Sequence, residues 1–270
     1  MLELSNLHKT FMPGTANEVR ALQGISLALA PGSFTAIIGT NGSGKSTLLN
    51  AVAGSFDLDA GTVRLNGFNI TRWPEHRRAA MIGRVFQNPF AGTADEMSIA
   101  ENLSLAMRRG ARRGFFPALT RGVRGELADR VQELKMGLEE RLDNPIGALS
   151  GGQRQVLTLL MATWRRPDLL LLDEHTAALD PKSAAKVAEL TQSIIRRGKL
   201  TALMVTHSMQ QAVDMSDRII MLHRGRVVQD YRDEHKQRAR VADLISAFDR
   251  VTRRELFDES VAELMRQQYL

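Results

Sequence analysis

The stretch that decides the fold is Gly39-Thr40-Asn41-Gly42-Ser43-Gly44-Lys45-Ser46-Thr47. It satisfies the pattern G-x-x-x-x-G-K-[ST] of a phosphate-binding loop, and it lies between the apolar run Phe34–Ile38 and a segment of helical pattern, as that motif requires. Its glycines let backbone N–H groups converge on phosphate oxygens, and the positive end of the helix dipole favours the same anion. We expect Lys45 to reach the β- and γ-phosphates of a nucleotide and Ser46 to hold Mg²⁺. A glycine-rich turn with an incidental lysine is the alternative.

A second motif follows a run of four leucines, Leu169–Leu172, which predicts a strand that is buried on both faces. Asp173 and Glu174 come directly after it, at the carboxyl end of the strand, where α/β sheets bind their ligands. We expect Asp173 to complete the Mg²⁺ shell and Glu174 to polarise a water for in-line attack. Strands that end in Asp-Glu are common, but beside a phosphate loop this one predicts a nucleotide-hydrolysing enzyme.

Most of the remaining chain alternates short apolar strands with longer helical patterns, which is typical of an α/β protein with a largely parallel sheet. Further strands are predicted at Met81–Phe86, Leu200–Thr206 and Arg218–Leu222, and helices after Gly44, over Gly152–Thr163 and over Pro181–Arg196. Asp180 can cap the last of these helices and Pro181 suits its first turn.

Two regions depart from this alternation. Short strand-like runs up to about Leu65 predict an antiparallel β-subdomain: they are Leu2–Leu7, Ile25–Leu29 and Thr62–Leu65. Between Met97 and Leu149 lies a mostly helical block, which is interrupted by an arginine-rich stretch. The tail after Tyr231 is charged and helical in pattern, with one apolar face formed by Val241, Leu244, Ile245 and Phe248.

Composition excludes several other classes of protein. The chain has 270 residues, 43% of them hydrophobic, which is enough for a sizeable core and excludes global disorder. It has no cysteine, so a disulfide scaffold, a cysteine zinc site and a thiol nucleophile are excluded. No apolar run is long enough to span a membrane and no signal peptide begins the chain, so we expect it in the cytoplasm. Its net charge of +6 favours an anionic partner, but does not distinguish among nucleotide, nucleic acid and anionic lipid.

Between the two nucleotide motifs stands Leu149-Ser150-Gly151-Gly152-Gln153-Arg154-Gln155. This segment resembles the signature motif of the ATP-binding cassette (ABC) family, and Ser150 precedes Asp173 by 23 residues, as in that family. Ser150 can cap the helix that Gly152 opens and present its hydroxyl and backbone N–H groups to an anion. A plain capped surface helix is the alternative. The resemblance implies that Ser150, Gly151, Gly152 and Gln153 bind ATP.

Other elements of the ABC family follow in order. Gln87 resembles the glutamine that contacts Mg²⁺ and relays the nucleotide state to a transmembrane partner, and Ala178-Leu179-Asp180 resembles the loop that places Asp180 near the nucleotide. His207 resembles the switch histidine, whose second nitrogen can donate to a γ-phosphate, although a structural histidine is the alternative. Phe11 resembles the aromatic residue that stacks on adenine, with a core position in the β-subdomain as its alternative.

The resemblance covers about Leu2 to Tyr231 and implies a P-loop NTPase (RecA-like) core with an antiparallel β-subdomain and an inserted α-helical subdomain. We expect an ABC ATPase domain over residues 1–231, its helical subdomain over about 97–165, and a helical tail over 232–270. One departure is His175, where most relatives carry proline; it is a second titratable group beside Glu174. The run Asp173–Ala184 is similar to bacterial importer ATPases that serve amino-acid-like solutes.

The resemblance implies an ATPase subunit that uses ATP and Mg²⁺ and powers a transporter from the cytoplasmic side of the inner (cell) membrane. Its expected partners are a membrane permease on a separate chain, a second ATPase subunit in a head-to-tail dimer, and a solute-binding protein. An importer of a small organic solute such as an amino acid is the first expectation and an exporter the closest alternative. A less favoured alternative is an ABC ATPase that acts on nucleic acid. It is suggested by the arginines crowded into one segment, which are Arg108, Arg109, Arg112, Arg113, Arg121 and Arg124. No base-stacking platform accompanies these arginines beyond Phe115 and Phe116, so we interpret the segment as a solvated insertion near anionic lipid and expect no nucleic acid.

Overall fold

The computed structural model describes residues 1–111 and 119–251. The interpretation of Arg112, Arg113, Phe115 and Phe116, and of the tail beyond residue 251, lies outside these residues. The strands are β1 (Leu2–Phe11), β2 (Val19–Leu29), β3 (Phe34–Gly39), β4 (Ala60–Leu65), β5 (Phe68–Asn69), β6 (Ile82–Val85), β7 (Leu169–Asp173), β8 (Ala202–Val205), β9 (Arg218–His223) and β10 (Arg226–Tyr231). The helices are α1 (Lys45–Ala53), α2 (Glu75–Arg78), α3 (Ile99–Met107), α4 (Arg121–Gln132), α5 (Gly151–Thr163), α6 (Pro181–Gly198), α7 (Met209–Met215) and α8 (Asp233–Arg238).

The larger sheet carries the nucleotide motifs and has the strand order β10-β9-β3-β8-β7-β6. Its neighbouring strands are parallel except for the antiparallel pair of β9 and β10. Leu169 and Leu171 pack into one core cluster, and Leu170 and Leu172 pack into another on the opposite face. The prediction of an α/β fold with a strand buried on both faces is therefore confirmed.

The register of this sheet brings the predicted site residues to one edge. Val205 of β8 lies level with Ile37 of β3 on one side and with Asp173 of β7 on the other. Parallel strands end at the same edge, so the segments that follow β3, β6, β7 and β8 meet there. Those segments carry the phosphate loop, Gln87, Glu174 and His207, respectively.

A smaller antiparallel sheet has the order β2-β1-β4-β5 and packs with α1 against one face of the larger sheet. The three predicted runs in this region are strands, although β1 and β2 are longer than predicted. The strands β5 and β10 were not predicted from the sequence. Both lie at a sheet edge and keep much of their surface in solvent, so neither shows the apolar run that marks a buried strand.

Among the described residues, the helical block contains α3, α4 and α5 with two short 3₁₀ turns, and its apolar side chains form a core cluster that also includes Val187 of α6. Capping boxes start two of these helices: Ser98 with Glu101 begins α3, and Ser150 with Gln153 begins α5. Each cap satisfies backbone N–H groups that a helix start leaves open. The predicted cap at Ser150 is therefore confirmed, and it fixes where the signature segment Leu149–Gln155 turns into helix.

The C-terminal part of the described chain packs onto the second face of the larger sheet. Residues 241–251 are helical, with Leu244 buried and Phe248 partly buried against that cluster. The predicted apolar face is wrong at Ile245, which is 47% exposed, because Ala247 occupies the buried position beside Leu244. Among the described residues, no helix is both long and apolar enough to cross a membrane.

Candidate functional site: a cavity at the sheet edge

A cavity of about 470 Å³ lies at the edge where the strands of the larger sheet end. Its walls include ten of the residues predicted from the sequence: Phe11, Asn41, Gly42, Gly44, Lys45, Ser46, Thr47, Gln87, Glu174 and His207. Val19 and Ala21 of the β-subdomain complete the lining. Residues from distant parts of the sequence therefore converge at one place, as the phosphate loop and the strand order predict.

The phosphate loop, Gly39–Thr47, has a conformation that two of its glycines make possible. Gly39 and Gly44 have φ values of 156° and 98°. A Cβ on Gly39 would lie 2.2 Å from the carbonyl oxygen of Leu222, and one on Gly44 would lie 2.4 Å from that of Ala21. Neither position accepts a larger residue without displacing backbone. This backbone leads directly into α1, whose N-terminus favours a bound anion.

Two polar groups of the loop fit a phosphate ligand. The ammonium of Lys45 donates to the carbonyl oxygens of Gly39 and Thr40 at 3.0 and 2.8 Å, and the side chain lies in the cavity wall. Burial lowers the pKa of Lys45, while the carboxylates of Glu174 and Asp173 act in the opposite direction. The hydroxyl of Ser43 is buried and has no hydrogen-bond partner within the described residues. A buried hydroxyl without a hydrogen-bond partner lowers stability unless a bound ligand supplies the hydrogen bond.

Glu174 is the centre of a three-residue cluster in the cavity. Its Oε1 lies 2.6 Å from Nε2 of His207, and its Oε2 accepts a hydrogen bond from Nε2 of Gln87 at 3.1 Å. Because a carboxylate only accepts, Nε2 of His207 must carry the proton of this contact. Glu174 itself is 8% exposed, whereas the side chain of His207 is 46% exposed. The carboxylate is thus held by two donors at the inner wall of the cavity.

Asp173 is held by a residue that the sequence analysis missed. Its carboxylate lies 3.5 Å from the guanidinium of Arg84, which also donates to the side-chain oxygen of Asn50 at 2.6 Å. The guanidinium stacks on Phe86, and only 14% of the Arg84 side chain is exposed. A signal existed: Arg84 is the charged residue in an otherwise apolar predicted strand, and such a charge needs a partner.

The donor set proposed for Mg²⁺ is chemically suitable. It consists of the Ser46 hydroxyl, the amide oxygen of Gln87 and the Asp173 carboxylate, and oxygen ligands are those that Mg²⁺ prefers. Gln87 uses its nitrogen toward Glu174, so its oxygen is not engaged in that contact. Among the described residues, no group of three or more His, Cys, Asp or Glu side chains forms a separate metal cluster.

The signature segment does not line this cavity. Ser150, Gly152 and Gln153 line a second cavity of about 330 Å³, together with Ser183 and Lys186 of α6. A Cβ on Gly152 would lie 2.7 Å from the side chain of Ser183, so α5 and α6 approach closely at this glycine. Within one chain the predicted ATP-binding residues therefore fall into two separate sites.

Asp180 and His175 have contacts outside the cavity at the sheet edge. Asp180 caps α6, accepting a hydrogen bond from the backbone of Ser183 at 3.0 Å. His175 turns away from the cavity: its Nε2 lies 3.0 Å from the hydroxyl of Thr191 on α6, and burial lowers its pKa to about 4. His175 is therefore neutral at neutral pH and forms part of the packing beneath the Glu174 turn.

Phe11 lies at the end of β1, where it is 38% exposed and lines the cavity. It makes an edge-to-face contact with Phe56 at a centroid distance of 5.4 Å. A ring that exposes this much surface is not a core residue of the β-subdomain. Phe11 is thus available to a ligand in the cavity, and adenine stacking stays a prediction.

Comparisons with known proteins agree with this geometry. A family described as ABC transporter matches residues 22–177, which is more than half of the chain. The chain is 40% identical over 249 residues to a tyrosine transport ATP-binding protein of Clostridioides difficile (strain R20291), covering 92% of this chain and 99% of that protein. It is 36% identical to a phosphonates import ATP-binding protein of Alcaligenes faecalis, covering 85% and 82%.

An exporter is also among the relatives. The chain is 34% identical to a macrolide export ATP-binding/permease protein of Chlorobium luteolum (strain DSM 273 / BCRC 81028 / 2530), covering 86% of this chain but 33% of that longer protein. Among solved structures, a dimeric ATP-binding cassette in a post-hydrolysis state bound to ADP and Pi has a TM-score of 0.74 and 27% identity, covering 86% of this chain and 98% of that one. The chain therefore belongs to the ABC transporter family, as an ATP-binding cassette that hydrolyses ATP.

Proposed function

We propose that this cassette is the ATPase subunit of a bacterial importer for a small organic solute such as an amino acid. The observation that carries the proposal is its 40% identity across 99% of a tyrosine transport ATP-binding protein. The similarity of Asp173–Ala184 to importer ATPases for amino-acid-like solutes supports the same substrate class. An exporter ATPase is the second candidate, because a macrolide export ATP-binding/permease protein is 34% identical over 238 residues.

The proposed roles of the site residues follow from the contacts around the cavity. Lys45 and the backbone N–H groups of the phosphate loop hold the β- and γ-phosphates of ATP. Ser46, Gln87 and Asp173 would hold Mg²⁺, which would neutralise phosphate charge when bound. Glu174 takes a proton from the attacking water, and His207 orients Glu174 through their 2.6 Å contact. Phe11 stacks on adenine.

The proposed second half of the site comes from another subunit. Ser150, Gly151, Gly152 and Gln153 of a partner cassette, with Asp180 beside them, would close over ATP held in the first. Two observations support this arrangement: the separation of the two cavities within one chain, and the dimeric form of a similar cassette. The subunits would therefore work as a head-to-tail dimer with shared nucleotide sites.

The permease is proposed to dock in a groove between β6 and the helical block. This groove, of about 270 Å³, lies beside the segment that carries Gln87 and is lined by Phe86, Leu105 and Arg109 among others. Leu105 is 57% exposed, and the nearby Phe90 is 52% exposed. Exposed apolar groups beside arginines suit an amphipathic cytoplasmic segment of a membrane protein. We accordingly propose that the chain binds the cytoplasmic side of the inner membrane, with a solute-binding protein outside and no nucleic acid.

The test combines partner recovery with transport. The full chain is purified from native membranes as Glu174→Gln in the presence of ATP, and also as the groove variant Leu105→Arg, whose ATPase activity should persist. We expect Leu105→Arg to lose a polytopic membrane protein that Glu174→Gln retains. Vesicles containing the wild-type chain together with that membrane protein should then take up labelled tyrosine or another amino acid from the side opposite the ATPase, and vesicles with Glu174→Gln should not. Movement in the other direction would support the exporter, and recovery of nucleic acid alone would contradict both.

A further inference from the structure

Gln211 lies in the first turn of α7, and its side-chain amide joins the two turns that follow β7 and β8. Its Oε1 accepts a hydrogen bond from the hydroxyl of Thr206 at 3.2 Å, and its Nε2 donates to the hydroxyl of Thr176 at 3.0 Å. Thr206 immediately precedes His207, and Thr176 follows Glu174 by two residues. One side chain thus connects the turn that carries Glu174 to the turn that carries His207.

Both ends of the amide are needed for this connection. The Thr206 oxygen already accepts from the backbone N–H of Ser208 at 3.0 Å, so its hydroxyl proton is directed to the oxygen of Gln211. Thr206 is 4% exposed and Thr176 is 8% exposed. Buried hydroxyls that lose their partner are not rescued by water, so the two contacts constrain the turns more than surface contacts would.

The turn at Glu174 needs such a constraint because its backbone is unfavourable. Glu174 has a φ of +43°, in the left-handed region that non-glycine residues rarely adopt, and such a conformation persists only where the surroundings fix it. The backbone N–H of Glu174 donates to Val205 at 2.9 Å, and that of Ala177 closes the turn onto the Glu174 carbonyl at 2.9 Å. The amide of Gln211 holds the same turn through a side chain.

We propose that Gln211 is a positioning residue for ATP hydrolysis, which sets the placement of the Glu174 carboxylate relative to His207. The proposal rests on the roles proposed above for these two residues. Gln211 itself is not among the described residues that line the cavity of about 470 Å³ at the sheet edge. Its loss should therefore reduce kcat and leave ATP affinity unchanged, since small misplacements of a catalytic group reduce rates strongly.

The experiment compares four variants of the full chain. Gln211→Leu has a similar size and removes both hydrogen bonds, whereas Gln211→Glu keeps two acceptors to which both threonine hydroxyls can donate. Gln210→Leu is the matched control, because the neighbouring Gln210 is exposed and its side-chain amide donates to Asp214 at 2.8 Å, away from Thr176 and Thr206. Glu174→Gln tests the proposed base. Steady-state kcat and KM, the Kd of a fluorescent ATP analogue, and Tm are measured for each.

We expect Gln211→Leu to lower kcat by about tenfold or more with Kd within about twofold of the wild type. Gln211→Glu should recover most of kcat, and Gln210→Leu should leave all four quantities unchanged. An unchanged kcat in Gln211→Leu would overturn the proposal, as would a Gln211→Glu variant as slow as Gln211→Leu. If Gln211→Leu does not fold, Thr176→Val removes one contact at constant shape and must show the same kcat loss. Near wild-type hydrolysis by Glu174→Gln would contradict the proposed function instead, so the two failures are distinguishable.

Discussion

At the scale of single residues, a substitution at Phe11 distinguishes a role in nucleotide binding from a role in stability. Phe11 lines the cavity and is 38% exposed. Phe11→Ala should weaken ATP binding by about 1–3 kcal/mol, the range for a lost base-stacking contact, and leave turnover at saturating ATP nearly unchanged. Titration with a fluorescent ATP analogue measures the first effect and steady-state kinetics the second.

The control for this prediction is Phe68→Ala, because Phe68 is an exposed aromatic residue of the same sheet that lies outside the cavity. It should leave ATP affinity unchanged. If Phe11→Ala lowers Tm and binds ATP as tightly as the wild type, the ring serves packing against Phe56, and another residue contacts adenine.

His175 makes stability depend on pH. Burial lowers its pKa in the folded chain from near 6.5 to about 4. Between these values the unfolded chain binds the proton and the folded chain does not, so this residue's contribution is complete above pH 6.5 and is lost as pH falls toward 4. The loss should be about 1.4 kcal/mol for each pH unit inside that window.

Urea denaturation at several pH values between 7 and 4.5 measures this slope. His175→Gln removes the titrating group and should flatten the dependence, whereas the exposed His76→Gln should keep the wild-type slope. Equal slopes in the wild type and in His175→Gln would show that His175 titrates alike in the folded and unfolded chains.

The sequence predicted single residues well where a short motif constrains them. Lys45, Glu174 and His207 come together because a phosphate loop and two strand ends meet at one sheet edge. Arg84 and Gln211 were missed because Asp173, the partner of Arg84, and Thr176, one of the two partners of Gln211, are distant from them in sequence. Local sequence patterns do not indicate contacts between residues that come together only when strands and helices pack.

At the scale of secondary structure, Arg78 fixes the end of the helix that starts at the phosphate loop. Its buried guanidinium donates to the carbonyl oxygens of Ala51 and Val52 at 2.8 and 2.9 Å, in the last turn of α1. Further bonds reach Trp73 at 2.9 Å and Thr71 at 2.7 Å. The last carbonyls of a helix have no partner within it, and Arg78 supplies one.

Arg78→Met keeps most of the side-chain length and removes these four hydrogen bonds. We expect it to lower the free energy of unfolding by about 2–3 kcal/mol, because buried carbonyls lose charged donors. The neighbouring Arg77 is exposed and stacks on Trp73, so Arg77→Met is the matched control and should change stability by less than about 1 kcal/mol. Urea denaturation midpoints measure both changes in stability. If Arg77→Met lowers the free energy of unfolding as much as Arg78→Met does, the hydrogen bonds of Arg78 to the end of α1 do not explain the loss.

Elements were predictable where burial gives a strong pattern. The apolar runs of β3, β7 and β8 were found because these strands are buried on both faces. The edge strand β10 has a mixed, half-exposed pattern, and the tail face was wrong at Ile245 because alanine carries little sequence signal. The proposed limits of the helical subdomain and of the tail stay predictions.

At the scale of the whole molecule, the two separate cavities predict complementation between damaged subunits. Lys45→Ala removes the phosphate clamp and leaves Ser150 available to a partner. Ser150→Arg keeps the clamp and places a bulky cation where the partner's nucleotide would be contacted. Each homodimer should be inactive, since both of its sites contain a damaged half. A mixed dimer, however, has one site with both damaged halves and one assembled from two intact halves.

Mixing the two inactive proteins should therefore restore vanadate-dependent nucleotide trapping, at up to one site per mixed dimer. Trapping is a better measurement than transport, because transport can require both sites. Native mass spectrometry establishes how much mixed dimer forms, so the trapped nucleotide can be expressed per mixed dimer. If mixed dimers form and trap no more nucleotide than either mutant alone, each cavity works within its own chain. In that case the phosphate loop and Ser150 of the same subunit would have to come together by a conformational change, rather than by the association of two subunits.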